Sequence, residues 1–181
     1  MVFRALLALA ISSCAASLPP ATSPPACPAG HAFVILVRHA EKVSNDPDAE
    51  LSPEGALRAR RLAVMLGNAG VTQLVATDVK RTQQTLAPLA ERLGRTTEIR
   101  PAREVEALAR ELRASPDGSV VVVAHHSNGI PRLMRALGVE PPGIAATDDA
   151  LPENDYGRVV VLSLGCDRAR ASFVQLDSSA P

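Results

Sequence analysis

The chain of 181 residues contains no tryptophan, one tyrosine and three phenylalanines. Stacking on bases or sugars is therefore not its expected way of binding, and the core must be built from Val, Leu, Ile and Ala. Neither sign of charge is in excess: nineteen basic side chains face nineteen acidic ones. No global field draws the chain to nucleic acid or to an anionic membrane, so basic groups near a cleft must act locally. Cysteine is scarce, at three residues, and no spacing of Cys, His, Asp and Glu reads as a zinc site. Neither a metal nor another cofactor is expected. The apolar stretch at residues 5–11 is too short to span a bilayer as a helix.

What the N-terminus does contain is Arg4 followed by that short apolar stretch, the layout of a secretory signal peptide. Ile11-Ser12-Ser13-Cys14 looks like a bacterial lipobox, where cleavage leaves Cys14 as a lipid-modified first residue. The other reading is plain secretion at a small-residue cleavage region. The proline- and alanine-rich residues 15–30 cannot bury enough apolar surface to fold and read as an extended linker. The expected organisation is a signal peptide over 1–14, the linker over 15–30 and one domain over 31–181. Its expected location is periplasmic, with contact to a membrane only through a lipid anchor. Cys27 and Cys166 pair in an oxidising compartment or remain two free thiols; both readings stand.

The domain is organised around Phe33-Val34-Ile35-Leu36-Val37-Arg38-His39. Five apolar residues in a row suit a strand buried on both faces, and the run stops at Arg38-His39. Ser52-Pro53-Glu54 starts a helix, with a cap, a proline in the first turn and an acid at the positive end. It should run to about Leu66 and bury Leu57, Leu62, Met65 and Leu66. A short strand follows over 71–76. A helix opened by Thr77-Asp78-Val79-Lys80-Arg81 reaches Leu93 and stops at Gly94. A third strand over 96–100 and a helix over 104–114 lead to the valine run at 119–124, which ends in His125-His126. Ser127 or Asn128 caps another helix, and 158–164 with 171–176 reads as a terminal hairpin. Alternating strands and helices predict an α/β fold, a three-layer α/β/α sandwich around a mostly parallel sheet.

Strand ends and helix starts thus carry Arg38, His39, Arg81 and His126. Guanidinium forks match phosphate oxygens and keep their charge at any working pH, so two arginines with two imidazoles make an anion site. These residues resemble the histidine phosphatase superfamily, also called phosphoglycerate mutase-like, over residues 33 to about 138. Arg38-His39-Ala40-Glu41 matches its opening Arg-His-Gly-Glu, and Asn45 matches its asparagine six residues after the first histidine. Leu51-Ser52-Pro53-Glu54-Gly55 matches Leu-Thr-x-x-Gly, and the segment from Thr77 to Thr85 matches Ser-x-x-x-Arg-Thr-x-Gln-Thr. His125-His126-Ser127-Asn128 matches Gly-His-Ser-Asn. Ala40 in place of glycine is similar to the short phosphohistidine phosphatases. His125 stands where glycine is expected, so His126 is the residue to carry over.

The resemblance implies a metal-independent phosphatase. His39 would attack phosphorus and form a phosphohistidine that water hydrolyses. Arg38, Asn45, Arg81 and His126 would bind the phosphoryl group, with His126 protonated and donating to it. The partner would be a small phosphorylated substrate or a phosphohistidine protein. An alkoxide leaving group needs an acid. Glu106 is the candidate in the region after the third strand, where a solvated helix-face carboxylate is the competing reading. Glu41 reads equally as an orienting group or as loop charge, and Arg58, Arg60 and Arg61 read as a solvated helix face. Tyr156 is expected to line the cleft. The alternative function is a non-catalytic lipoprotein that binds phosphorylated ligands at the same anion site.

Overall fold

The computed structural model describes residues 30–145, 149–165 and 171–177. The expectations placed on the signal segment, Cys14, the linker up to residue 29, Cys27 and Cys166 lie outside the described residues. Ten elements follow in order: β1 (Ala32–Arg38), α1 (Pro53–Leu66), β2 (Gln73–Thr77), α2 (Lys80–Leu93), β3 (Thr97–Arg100), α3 (Val105–Arg113), β4 (Val120–His125), α4 (Gly129–Ala136), β5 (Arg158–Leu164) and β6 (Ala171–Asp177). The six strands form one sheet in the order β3-β2-β4-β1-β5-β6. β3, β2, β4 and β1 pair in parallel, while β5 and β6 add an antiparallel hairpin beside β1. This is the phosphoglycerate mutase-like α/β fold.

The two apolar runs, β1 and β4, lie side by side in the centre of the sheet, Leu36 opposite Val123 and Arg38 opposite His125. Being covered on both faces, they have no polar alternation to show. One face packs Leu62, Leu66, Leu86 and Leu89 of α1 and α2 on Ile35, Val37, Leu74 and Val122. The other packs Leu108, Leu112, Leu133 and Met134 of α3 and α4 on Val34, Leu36, Val121 and Val123. Leu74 and Leu86 are wholly enclosed; burying such a side chain stabilises the fold by about 2 kcal/mol over leaving it in water. Among the described residues, no helix is long and apolar enough to cross a membrane.

α1 begins as its sequence implies. Ser52 caps it, its hydroxyl accepting from the Gly55 amide at 3.1 Å, and Pro53 opens the first turn. Its buried face differs from expectation. Leu62 and Leu66 are buried, but Leu57 and Met65 are 50% and 41% exposed. The face turned to the sheet is Gly55, Ala59, Leu62, Ala63 and Leu66. Small residues set it because the helix starts hard against the backbone after β1: a Cβ on Gly55 would lie 2.2 Å from the Glu41 carbonyl oxygen.

Arg58 is likewise not part of a solvated face. It makes a paired-fork contact to Glu41, Nε and Nη2 each within 3.0 Å of a carboxylate oxygen. Both side chains are only 16% exposed, while Arg60 and Arg61 are in solvent as expected. The pair ties α1 to the residues just beyond β1, so Glu41 has an orienting role. Arg58 helps hold its carboxyl below the usual carboxylate range against the opposing effect of burial.

Candidate active site

β1 leads into α1 on one face of the sheet and β4 into α4 on the other. The crevice beyond the carboxyl ends of two such neighbouring strands is where open α/β sheets hold ligands. An open hollow of about 660 Å³ lies there, and Arg38, His39, Arg81 and His126 all line it.

His39 is 4% exposed. Its Nδ1 lies 2.8 Å from the carbonyl oxygen of Ala40. A carbonyl only accepts, so Nδ1 carries the proton and Nε2 keeps a free lone pair. Burial pushes the pKa of this imidazole down to about 4, with the charges of Arg81, Arg38 and Lys42 acting in the same direction. The ring is therefore neutral at neutral pH, with the Nε2 lone pair available. Ala40 is held in turn: its amide donates to the Thr85 hydroxyl at 3.0 Å, and that hydroxyl donates to the Arg81 carbonyl at 2.7 Å.

Arg38 stacks over Tyr156, its guanidinium carbon 4.2 Å from the ring centroid. Its Nη1 donates to the carbonyls of Pro152 and Glu153 at 2.9 and 2.8 Å. Arg81 donates from Nη1 to the Pro47 carbonyl at 2.6 Å and from Nη2 to His126 Nδ1 at 3.3 Å. The Nε of each arginine is buried without a partner. An unserved, charged donor is costly to bury, and an anion in the hollow would serve it.

The helix starts behind these groups are braced by the motif residues. Asp48 caps α2 from the neighbouring loop, accepting from the Lys80 amide at 2.9 Å. Gln84 accepts from the Leu51 amide at 2.8 Å. Ser127 and Asn128, at the start of α4, line the hollow. The Ser127 carbonyl accepts from the Leu151 amide at 2.9 Å, which fastens the loop before β5 to the site.

Two expectations are corrected. Asn45 does not line the hollow; it is exposed, and its amide oxygen accepts from Lys42 Nζ at 3.0 Å, so Lys42 is the lining residue. Glu106 is also elsewhere. It stands in the first turn of α3, mostly exposed, 3.5 Å from Arg132. It lines a second hollow of about 650 Å³ that shares Asn128 with the first. His126 Nδ1 faces Arg81, which can only donate, and burial together with Arg81 pushes the pKa of this imidazole down to about 4.

His125 points away from the reacting groups. It is 2% exposed, its Nδ1 accepts from the His126 amide at 2.8 Å, and its ring lies against the first turn of α4. A Cβ on Gly129 would come within 1.9 Å of that Nδ1, so the ring occupies the space the glycine leaves. Among the described residues, no group of three His, Cys, Asp or Glu side chains could hold a metal ion.

Of two further residues, Tyr156 was expected at the cleft, whereas Glu153 had no signal in the sequence. Both line the hollow, and Glu153 is the one carboxylate among its described lining residues. They reach it because Arg38 binds carbonyls 114 and 115 residues further along the chain.

Residues 34–104 match the sequence model of the histidine phosphatase superfamily (branch 1). That stretch carries Arg38, His39 and Arg81, while His126 lies beyond it. The fold is similar to that of mycobacterial glucosyl-3-phosphoglycerate phosphatase Rv2419c, at 21% identity over 83% of this chain and 100% of that one, with a TM-score of 0.61. It is similar also to the protein histidine phosphatase SixA solved with tungstate, at 19% identity over 81% of this chain and 97% of that one, TM-score 0.64. A putative phosphohistidine phosphatase SixA from Nakamurella multipartitia is 28% identical over 82% of this chain and 95% of its own, TM-score 0.55. No curated protein matches the chain.

Proposed function

We propose that the protein is a phosphatase of the histidine phosphatase type, with His39 as the nucleophile and no need of a metal. The observation that carries this reading is the state of His39. Its Nδ1 proton is committed to Ala40, its Nε2 lone pair is free, and Arg38, Arg81 and His126 share its hollow. A binding protein would need the arginines but has no use for a buried, neutral imidazole among them. The sequence match and the phosphatase neighbours support the same reading.

In the first step His39 Nε2 attacks phosphorus. The N–P bond forms and the bond to the leaving group breaks, while the proton stays on Nδ1, donated to the Ala40 carbonyl. Arg38 and Arg81 neutralise charge on the transferring group, doing what a metal does in other phosphoryl transfers. In the second step water attacks, the N–P bond breaks, and phosphate leaves with His39 neutral again. Glu153, on the rim, takes the place assigned from sequence to Glu106. It is the carboxylate available to protonate a poor leaving group and to take a proton from water. The second hollow, joined to the first at Asn128, leaves room for the rest of a substrate.

The substrates this site suits are phosphate monoesters and phosphohistidine. The test is hydrolysis of an aryl phosphate, an alkyl phosphate and a phosphohistidine peptide with a chelator present. Wild-type protein should turn over at least one of them, and His39→Ala should be slower by roughly a thousandfold or more. Equal rates for the two proteins would leave only the binding reading.

A further inference from the structure

His126 sits at one end of a buried chain of hydroxyl groups. Its Nε2 is 3.0 Å from the Thr77 hydroxyl, which is 2.8 Å from the Thr82 hydroxyl. Thr82 reaches the carbonyls of Val79 at 2.9 Å and Thr77 at 3.1 Å. Thr77 and Thr82 are 2% and 0% exposed, so water does not compete for these contacts. Each hydroxyl has one proton to give. The carbonyls can only accept, so Thr82 gives its proton to them. Thr77 must then give its own to Thr82, and its remaining contact with His126 is as an acceptor. Arg81, at the other end of the ring, cannot accept, so Nδ1 is the acceptor there. Thr77 at one end of the ring and Arg81 at the other thus both favour the proton on Nε2.

We propose that Thr77, backed by Thr82, is a positioning residue that fixes the tautomer of His126 and so makes Nδ1 its proton-exchanging atom. Nε2–H donates to Thr77 whether the ring is neutral or charged, and Nδ1 faces the hollow. Arg81 holds Nδ1 as an acceptor. When a phosphoryl dianion enters and draws Arg81 Nη2 to itself, Nδ1 is free to take a proton and donate it to a phosphoryl oxygen. The sequence-based picture of a protonated His126 then applies to the liganded site alone. The other charged or titratable groups facing this ring are His39 at the end of β1, His125 on β4, Asp78 between β2 and α2, and Arg38. None of them bonds to Nε2.

This inference rests on the phosphatase reading for its consequence in rate, but not for its measurement. Long-range ¹⁵N–¹H correlation spectra of the full chain at neutral pH report the tautomer of each histidine directly. Wild type and Thr77→Ser should show His126 protonated on Nε2, and Thr77→Val should show it shifted toward Nδ1. With an aryl phosphate, Thr77→Val should lose roughly ten- to a hundredfold in kcat, the scale of one hydrogen bond to a charged group, and Thr77→Ser should recover most of it. A wild-type His126 protonated on Nδ1 would overturn the proposal, even if Thr77→Val did not fold. So would a Thr77→Val protein with the wild-type tautomer and rate. A wild type with no hydrolytic activity would count against the phosphatase reading, while the spectrum would still decide the tautomer.

Discussion

The amide of His39 donates to the carbonyl of His125 at 2.9 Å, one step beyond the last paired position of β1 and β4. That bond carries the parallel ladder past the strand ends and sets the two neighbouring imidazoles face to edge. The rings of His39 and His126 stand 5.4 Å apart at 61°. The two imidazoles that the proposed mechanism uses are thereby held by backbone geometry at strand ends, which is the more exact way to hold reacting groups.

The histidines make a prediction about pH. kcat/KM reports the free enzyme, and there the pKa of His39 lies near 4 rather than 6.5. The nucleophile should therefore stay active well below pH 6, once the substrate's own ionisation is corrected for. Stability follows the same sign. The pKa values of His39, His125 and His126 are all depressed to about 4, so the unfolded chain binds more protons below pH 6.5. Their contribution is fully present above about pH 6.5 and is lost as pH falls toward 4. For His125 alone this is on the order of 3 kcal/mol. Urea melts at pH 7.5 and pH 5 read the part that precedes carboxylate titration; equal midpoints would contradict it.

Glu153 and Glu106 should separate by leaving group. Glu153→Gln should slow alkyl phosphate hydrolysis by about a hundredfold, the lower range for general acid catalysis. For a nitrophenyl phosphate, whose leaving group needs no proton, the phosphoryl-transfer step should change little. Glu106→Gln should leave both rates as they are. Measuring transfer by the release of leaving group in the first turnover keeps it apart from hydrolysis of the intermediate.

Gly129→Ala should push the His125 ring off its contact with the His126 amide. Overpacking of this kind costs about 1–3 kcal/mol, read by denaturant melts. Because the same amide begins the turn that carries the His126 side chain, turnover should fall as well. A protein of wild-type stability and rate would show that the ring yields freely.

Cys14→Ser tests the proposed anchor. Expressed with its own N-terminus in a bacterium that processes lipoproteins, the wild-type chain should fractionate with membranes and the variant with the soluble periplasmic contents. Unchanged fractionation would rule out lipidation at Cys14.

The parts of the molecule that were legible in the sequence are those set by local chemistry. The β-branched runs ending in Arg38-His39 and His125-His126 marked the two central strands. Ser52-Pro53 marked the start of α1, and Gly94, in the left-handed conformation at φ 61°, marked the end of α2. What was hidden depends on partners remote in the chain. The face of α1 follows Gly55 and Ala59, not Leu57 and Met65, because close approach to Glu41 outweighs side-chain hydrophobicity. The loop bearing Glu153 and Tyr156 is held at the site by Arg38 and by the Leu151–Ser127 backbone bond, both between residues far apart in the chain. Asn45 bonds the Lys42 ammonium on the exposed side of the loop after β1, and Lys42 lines the hollow in its place. Glu106 misled because helical spacing says which face is wet, but not which rim of the sheet it stands on.

The most direct measurement is to look for the phosphoryl group on the protein itself. Wild-type chain mixed with a radiolabelled aryl phosphate and quenched in alkali within the first turnovers should carry label that survives base and is released by acid. Peptide mapping should place it on His39, and His39→Ala should carry none. Label on any other residue, or undiminished turnover by His39→Ala, would contradict the account.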